Sequence, residues 1–182
     1  TESLLNVLLN AKKYECLAGE SSIQDTSILR MLLAVLQTVV YRYDIDGSYK
    51  PLTTPDEALA RWKTIWDKEE FPKEMISAYL SRPKIEDRFY LFHPEYPFYQ
   101  HNCVYAVNTA YLSASKLDMS TSQSQNTPRA YSRKVEGAMV ALSYEEAARW
   151  LITINYFDDA ALKARRNERQ MFNGKSINSP TI

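Results

Sequence analysis

Residues 22–43 read SIQDTSILRMLLAVLQTVVYRY, and their periodicity decides the fold class. Ile28, Leu32, Val35, Leu36 and Val39 recur at helical spacing, and Leu29, Leu33 and Val40 widen the stripe. The pattern predicts a core helix from Ser22 to about Tyr43, roughly 30 Å long at 1.5 Å per residue. Ser21 or Ser22 can cap its start, because a hydroxyl there accepts from an otherwise unpaired backbone N–H. Asp44-Ile45-Asp46-Gly47-Ser48 has turn chemistry and ends it. A calcium loop is excluded at this turn, since the glycine stands two positions early and Pro55 occupies the place of the closing glutamate.

Working outward, Leu4, Leu5, Val7, Leu8, Leu9 and Ala11 predict a short helix buried on more than one side, closed by Gly19. Downstream, Thr54-Pro55-Asp56-Glu57 is a helix start: a hydroxyl cap, proline at the first helical position and acids at the positive end of the dipole. Leu59, Trp62, Ile65 and Trp66 follow as its apolar face. Pro72 opens another helix with Met75, Ile76, Tyr79 and Leu80 on its face, and Pro83 ends it. From Arg88 to Tyr111 dense aromatics broken by Pro94 and Pro97 predict irregular chain with short strands. Within it Val104, Ala106, Thr109 and Leu112 fit either a strand or a poor helix.

Residues 113–132 are rich in serine, threonine, glutamine and asparagine with few apolar side chains, the composition of an exposed polar loop. Ser143-Tyr144-Glu145-Glu146 is a capping box that starts a helix with Ala147, Trp150, Leu151 and Ile154 on one face, ending near Asp158. Residues 163–182 carry five basic side chains against one acid and little to bury, which predicts a mobile basic tail. The fold class expected is mainly α with short β segments (α+β): several packed helices, an aromatic-rich irregular region and a long polar loop.

The 182 residues hold 22 basic and 22 acidic side chains, with no excess of positive charge overall. Residues 1–100 carry 12 basic and 15 acidic groups and residues 101–182 carry 10 and 7, so any polyanion contact is expected in the second part. Four glycines, where average usage gives about 13, cannot assemble a phosphate-binding loop. Cys16 and Cys103 read as free thiols. No apolar run reaches the roughly 18 residues that span a bilayer, and residues 1–15 lack the order of a secretory signal. A cytoplasmic protein is expected.

Catalytic chemistry finds no support. His93, His101 and Cys103 match no zinc spacing, and structural or surface roles are expected for both histidines. Ser113-x-x-Lys116 lacks the companion motifs of penicillin-binding enzymes, and Asp158-Asp159 are helix neighbours that point in different directions. A small hydrolase using Ser113 or Asp158 therefore ranks last, and neither cofactor nor metal is expected.

Arg88-Phe89-Tyr90-Leu91-Phe92-His93-Pro94-Glu95-Tyr96-Pro97-Phe98-Tyr99-Gln100 resembles the signature of the CasA family, the large subunit of the type I-E CRISPR Cascade complex. Leu29 to Leu36, Glu146 to Leu151, and Phe157 to Ala160 with Lys163 resemble it in the same order. Family members are more than twice this long, so the resemblance implies a single incomplete domain over 1–182 from the amino-terminal region of a longer protein. It also implies an antiviral role as a non-catalytic subunit whose partners are other Cascade subunits, guide RNA, target double-stranded DNA and a helicase-nuclease. In such a complex base pairing carries sequence, while the protein reads the flanking duplex and its backbone.

The resemblance implies that residues 122–132 lie where relatives place a polar loop near the nucleic acids, and Ser122, Ser124 and Asn126 match it, whereas Gln125 replaces a glycine. Asn126 has the donors and acceptor for a base edge, and Lys116, Arg129, Arg133 and Lys134 offer phosphate contacts at the two ends of the loop. Lys163, Arg165, Arg166 and Arg169 form a second basic strip, suited to RNA, DNA or a neighbouring subunit, or to the negative end of a helix dipole. The opposing class is a structural or protein-interaction helical domain with no direct nucleic-acid contact.

Overall fold

Leu32, Leu36, Val39 and Val40 lie buried along one side of a helix, α2 (Ser22–Arg42), around which the first of two compact units is built. The computed structural model describes residues 2–100, 117 and 141–157. The units comprise Thr1–Tyr90 and Leu91–Ile182. Ser21 is the cap of α2, its hydroxyl accepting from the Gln24 N–H at 3.2 Å. Leu8 of α1 (Leu4–Leu9), Ile65 of α3 (Pro55–Lys68), and Met75 and Ile76 of α4 (Lys73–Leu80) join Leu32, Leu36, Val39 and Val40 in one buried cluster, in which α3 and α4 pack on α2 and α1 packs on α4. Each such side chain removed from water contributes about 1.5–3 kcal/mol before the entropy of ordering is subtracted.

The stripe on α2 is narrower than its sequence suggests: Leu29 and Leu33 are 49% and 46% exposed, while Gln24 and Ser27 on the core side are fully buried. Ser27 turns its hydroxyl inward to the Ile23 carbonyl at 2.8 Å, and Gln24 Oε1 accepts from the Glu20 N–H at 3.1 Å. At 21 residues and a mean hydropathy of 1.3, α2 is long and apolar enough to cross a membrane, contrary to the expectation that no apolar run reaches that length. In this fold 33% of its apolar stretch is buried, including Leu32, Leu36, Val39 and Val40.

Gly19 does not close α1. That helix stops at Asn10, whose N–H and side-chain amide both donate to the Asn6 carbonyl at 3.0 Å. Gly19 serves α2 instead: its N–H donates to Asp25 Oδ1 at 2.7 Å, and an added Cβ would lie 2.6 Å from Gln24 Oε1. The turn after α2 is as expected, with Gly47 at φ 83° and the Asp44 N–H donating to the Ser48 carbonyl at 2.9 Å. Tyr43 and Tyr49 flank it in an isolated antiparallel bridge. No strand forms among the described residues, so the short β segments are reduced there to this bridge. The Val104 to Leu112 stretch lies outside them.

Thr54 and Glu57 form a full capping box on α3, with Pro55 at the first helical position. Its buried line, however, is Arg61 and Ile65, whereas Leu59 and Trp66 are 70% and 82% exposed. Arg61 takes the inward position because its guanidinium has partners there: Nη1 donates to the Val40 carbonyl at 2.8 Å and Nη2 to the Lys50 carbonyl at 3.0 Å. Pro72 precedes α4, and Pro83 both ends that run and starts the short α5 (Pro83–Glu86).

In the second unit, residues 91–100 form successive turns, the irregular aromatic region expected. The helix α6 (Tyr144–Phe157) begins at the capping box: the Ser143 N–H donates to Glu146 at 2.7 Å and the Glu146 N–H to Ser143 Oγ at 3.3 Å. Trp150, Ile152 and Thr153 are buried, and Ala147, Leu151 and Ile154 are half-buried. The inward face is thus rotated from the apolar one, Thr153 satisfying its hydroxyl on the Arg149 carbonyl at 2.8 Å.

Candidate nucleic-acid interface and its frame

Two prolines deny residues 91–100 a helix, so their polar groups must be paired by side chains. His93 does so first: Nδ1 accepts the N–H groups of Glu95 at 3.2 Å and Tyr96 at 3.0 Å, and its ring stacks on that of Tyr96 at 5.7 Å. With Nδ1 accepting, the neutral imidazole carries its proton on Nε2. Gln100 closes the loop. Its side-chain amide donates to the Leu91 carbonyl at 2.8 Å and the Phe98 carbonyl at 3.3 Å.

Tyr99 stands at φ 52°, in the left-handed region that an aromatic residue seldom occupies. Asn155 of α6 donates through Nδ2 to the Tyr99 carbonyl at 3.2 Å and to the Leu151 carbonyl of its own helix at 2.8 Å. Burial, and then the neighbouring Tyr156 with its hydrogen bond, push the Tyr99 phenol well above its ordinary pKa. It stays protonated at neutral pH. Phe92 meets Tyr144, the first residue of α6, edge to face at 5.6 Å.

The expected contact residues Lys116, Ser122, Ser124, Asn126, Arg129, Arg133 and Lys134 lie outside the described residues, as do Lys163, Arg165, Arg166 and Arg169. So do His101, Cys103, Ser113 and Asp158. What is described flanks them in sequence: residues 91–100 precede the polar loop, and α6 stands between it and the second basic strip. Among the described residues no group of three metal-ligating side chains occurs, and Cys16 is an exposed free thiol. The bond from Asn155 to Tyr99 had no local sequence signal, because its partner lies far away in sequence and is identified only once the chain has folded back.

The sequence profile of CRISPR-associated protein Cse1 matches residues 1–178. The chain belongs to the Cse1 family. CRISPR-associated protein CasA/Cse1 of Thermus thermophilus is 32% identical over 158 residues, which cover 87% of this chain and 28% of that protein. The crystal structure of Thermobifida fusca Cse1 superposes with a TM-score of 0.62 at 26% identity, over 91% of this chain and 28% of the other. Thermus thermophilus CasA (Cse1) superposes with a TM-score of 0.53 at 28% identity, over 84% and 26%. The chain therefore spans less than a third of the length of the relatives it matches.

In this Cse1-family chain the most recognisable stretch is structural. Of its residues, His93 and Gln100 bind backbone, while Phe92 and Tyr99 contact residues of α6.

Proposed function

We propose that this Cse1-family chain is the amino-terminal, non-catalytic part of the large subunit of a cytoplasmic RNA-guided Cascade complex. It contributes to recognition of target DNA beside the guide-matched sequence and to recruitment of a helicase-nuclease. The polar loop 113–132 and its ends supply the contacts, with Asn126 at a base edge, Ser122 and Ser124 beside it, and Lys116, Arg129, Arg133 and Lys134 on phosphates. Lys163, Arg165, Arg166 and Arg169 form a second strip toward RNA, DNA or a neighbouring subunit. The 1–182 region is one incomplete domain of the longer subunit.

The observation that carries this reading is the profile match over residues 1–178, joined to relatives named CRISPR-associated CasA/Cse1. The charge distribution supports it, since the basic excess falls in residues 101–182. A salt titration of target binding by the assembled complex tests it, because each phosphate contact contributes about −0.9 to the slope of log K against log salt. Replacing Arg129, Arg133 and Lys134 by alanine shrinks that slope if they touch phosphate. Unchanged slope and affinity would favour the second reading, a protein-interaction domain, which the exposed Leu59, Trp62 and Trp66 of α3 support.

A further inference from the structure

α3 lies against α2 with most of its circumference in water: of its 14 residues only Arg61 and Ile65 are buried. A helix of that length is marginal on its own and draws its stability from packed faces, so one buried pair is a small anchor. Its exposed side is not the charged one that a solvent-facing helix carries. Leu59, Trp62 and Trp66, at spacings of three and four, share one row with Pro55, and the two indoles are 40% and 82% exposed.

At about 100° per residue, Asp56, Lys63 and Asp67 fall side by side along one border of this row, all three exposed. Along the other border lies half-buried Ala58, next to the buried Ile65. Taking about 250 Å² for each indole, Trp62 and Trp66 alone leave on the order of 300 Å² of aromatic surface in water, comparable with the largest apolar patch of a typical monomer. A tryptophan-bearing apolar centre with a charged rim is the composition of a covered protein interface. Nucleic acid suits it poorly, since the rim sets two acids against one base and residues 1–100 hold 15 acidic groups against 12 basic ones.

The size of the matched relatives points to what covers the row. This chain spans 28% of the Thermus thermophilus protein and 28% of the Thermobifida fusca one, so the greater part of such a subunit lies outside it. A covalently tethered part meets the row at a higher effective concentration than a separate partner does.

We infer that the Leu59, Trp62 and Trp66 row of α3 is the docking face for the part of the Cse1 subunit carboxy-terminal to residue 182, which covers it with an apolar groove and offers an acceptor to each indole N–H. This rests on the reading that residues 1–182 are the amino-terminal part of a longer subunit, and not on any contact with nucleic acid. Within residues 1–182 the row faces water and adds little to the folding of the first unit.

The test uses the subunit made from its native gene, free of the other Cascade proteins. Hydroxyl-radical footprinting read by mass spectrometry compares oxidation of Trp62 and Trp66 in the folded subunit and in urea. A covered row is expected to react about tenfold more slowly when folded, whereas rates within about twofold of the unfolded ones would overturn the docking face. A photo-cross-linking residue at position 66 then identifies the cover. Cross-links to the same polypeptide beyond residue 182 are expected. Cross-links to residues 1–182, to a second copy, or only to another subunit after assembly would each overturn the assignment. A native polypeptide that ends at residue 182 would refute the amino-terminal reading and the docking face with it. A long subunit whose tryptophans oxidise freely would refute the docking face alone.

Discussion

Arg61 gathers three segments of the first unit at one guanidinium: the Val40 carbonyl near the end of α2, the Lys50 carbonyl after the turn, and Asp44, whose Oδ1 lies 3.8 Å from Nε. With 5% of its side chain exposed, its removal orphans two backbone acceptors. Arg61→Met is expected to lower the unfolding free energy by about 2–4 kcal/mol, read from the urea midpoint, and Arg61→Lys to recover little because an ammonium lacks the fork. Asp44 gives this site a pH dependence. Its pKa is held below the ordinary 3.8, first by the Ile45 N–H, then by Lys50, with Arg61 adding attraction. A depressed carboxylate contributes stability that is complete above the unfolded value and lost as pH falls through the folded one. Thermal melts should therefore be flat above about pH 5 and fall below pH 3.8, with a shallower acid limb in Asp44→Asn. None of this was legible in the sequence, where Arg61 reads as one more charge on an amphipathic helix and its two carbonyl partners carry no residue-specific signal.

At the scale of elements, helix starts were legible because caps are local: Ser21, Thr54 and Ser143 each bond a backbone N–H within three residues. Which face turns inward was less legible, since that depends on neighbours distant in sequence. On α3 the two rows differ sharply, and a pair of substitutions separates them. Ile65→Ala should cost about 2–4 kcal/mol in chemical denaturation, whereas Trp66→Ser should stay within about 0.5 kcal/mol despite removing the larger side chain. The reverse order would mean that the face of α3 is misassigned. The turn after α2 was readable down to its glycine, and Gly47→Ala should destabilise by more than about 1 kcal/mol. Alanine resists φ 83°, and its Cβ would sit 2.9 Å from the Glu74 carbonyl oxygen. The loop 91–100 was legible as irregular from Pro94 and Pro97, yet the bond from Gln100 to the Leu91 carbonyl was not, because it spans nine residues without periodicity.

For the whole molecule, balanced charge conceals an uneven distribution, acidic before residue 100 and basic after it. Family membership follows from the profile match over residues 1–178, and in the stretch that resembles the family His93 and Gln100 bond to backbone groups. The family was legible from the aromatic, proline and glutamine spacing of residues 88–100. The proposed contacts were legible only as composition and through the family resemblance, since a polar stretch has no period and no core-facing side to fix it. The proposed role therefore turns on whether the basic flank of that loop meets DNA. A photo-cross-linking residue at position 129, in the complex assembled on a labelled target duplex, reports this directly. Cross-linking to the target in register with the duplex beside the guide-matched sequence is expected, while cross-links only to protein, or none under saturating target, would contradict the role in DNA recognition.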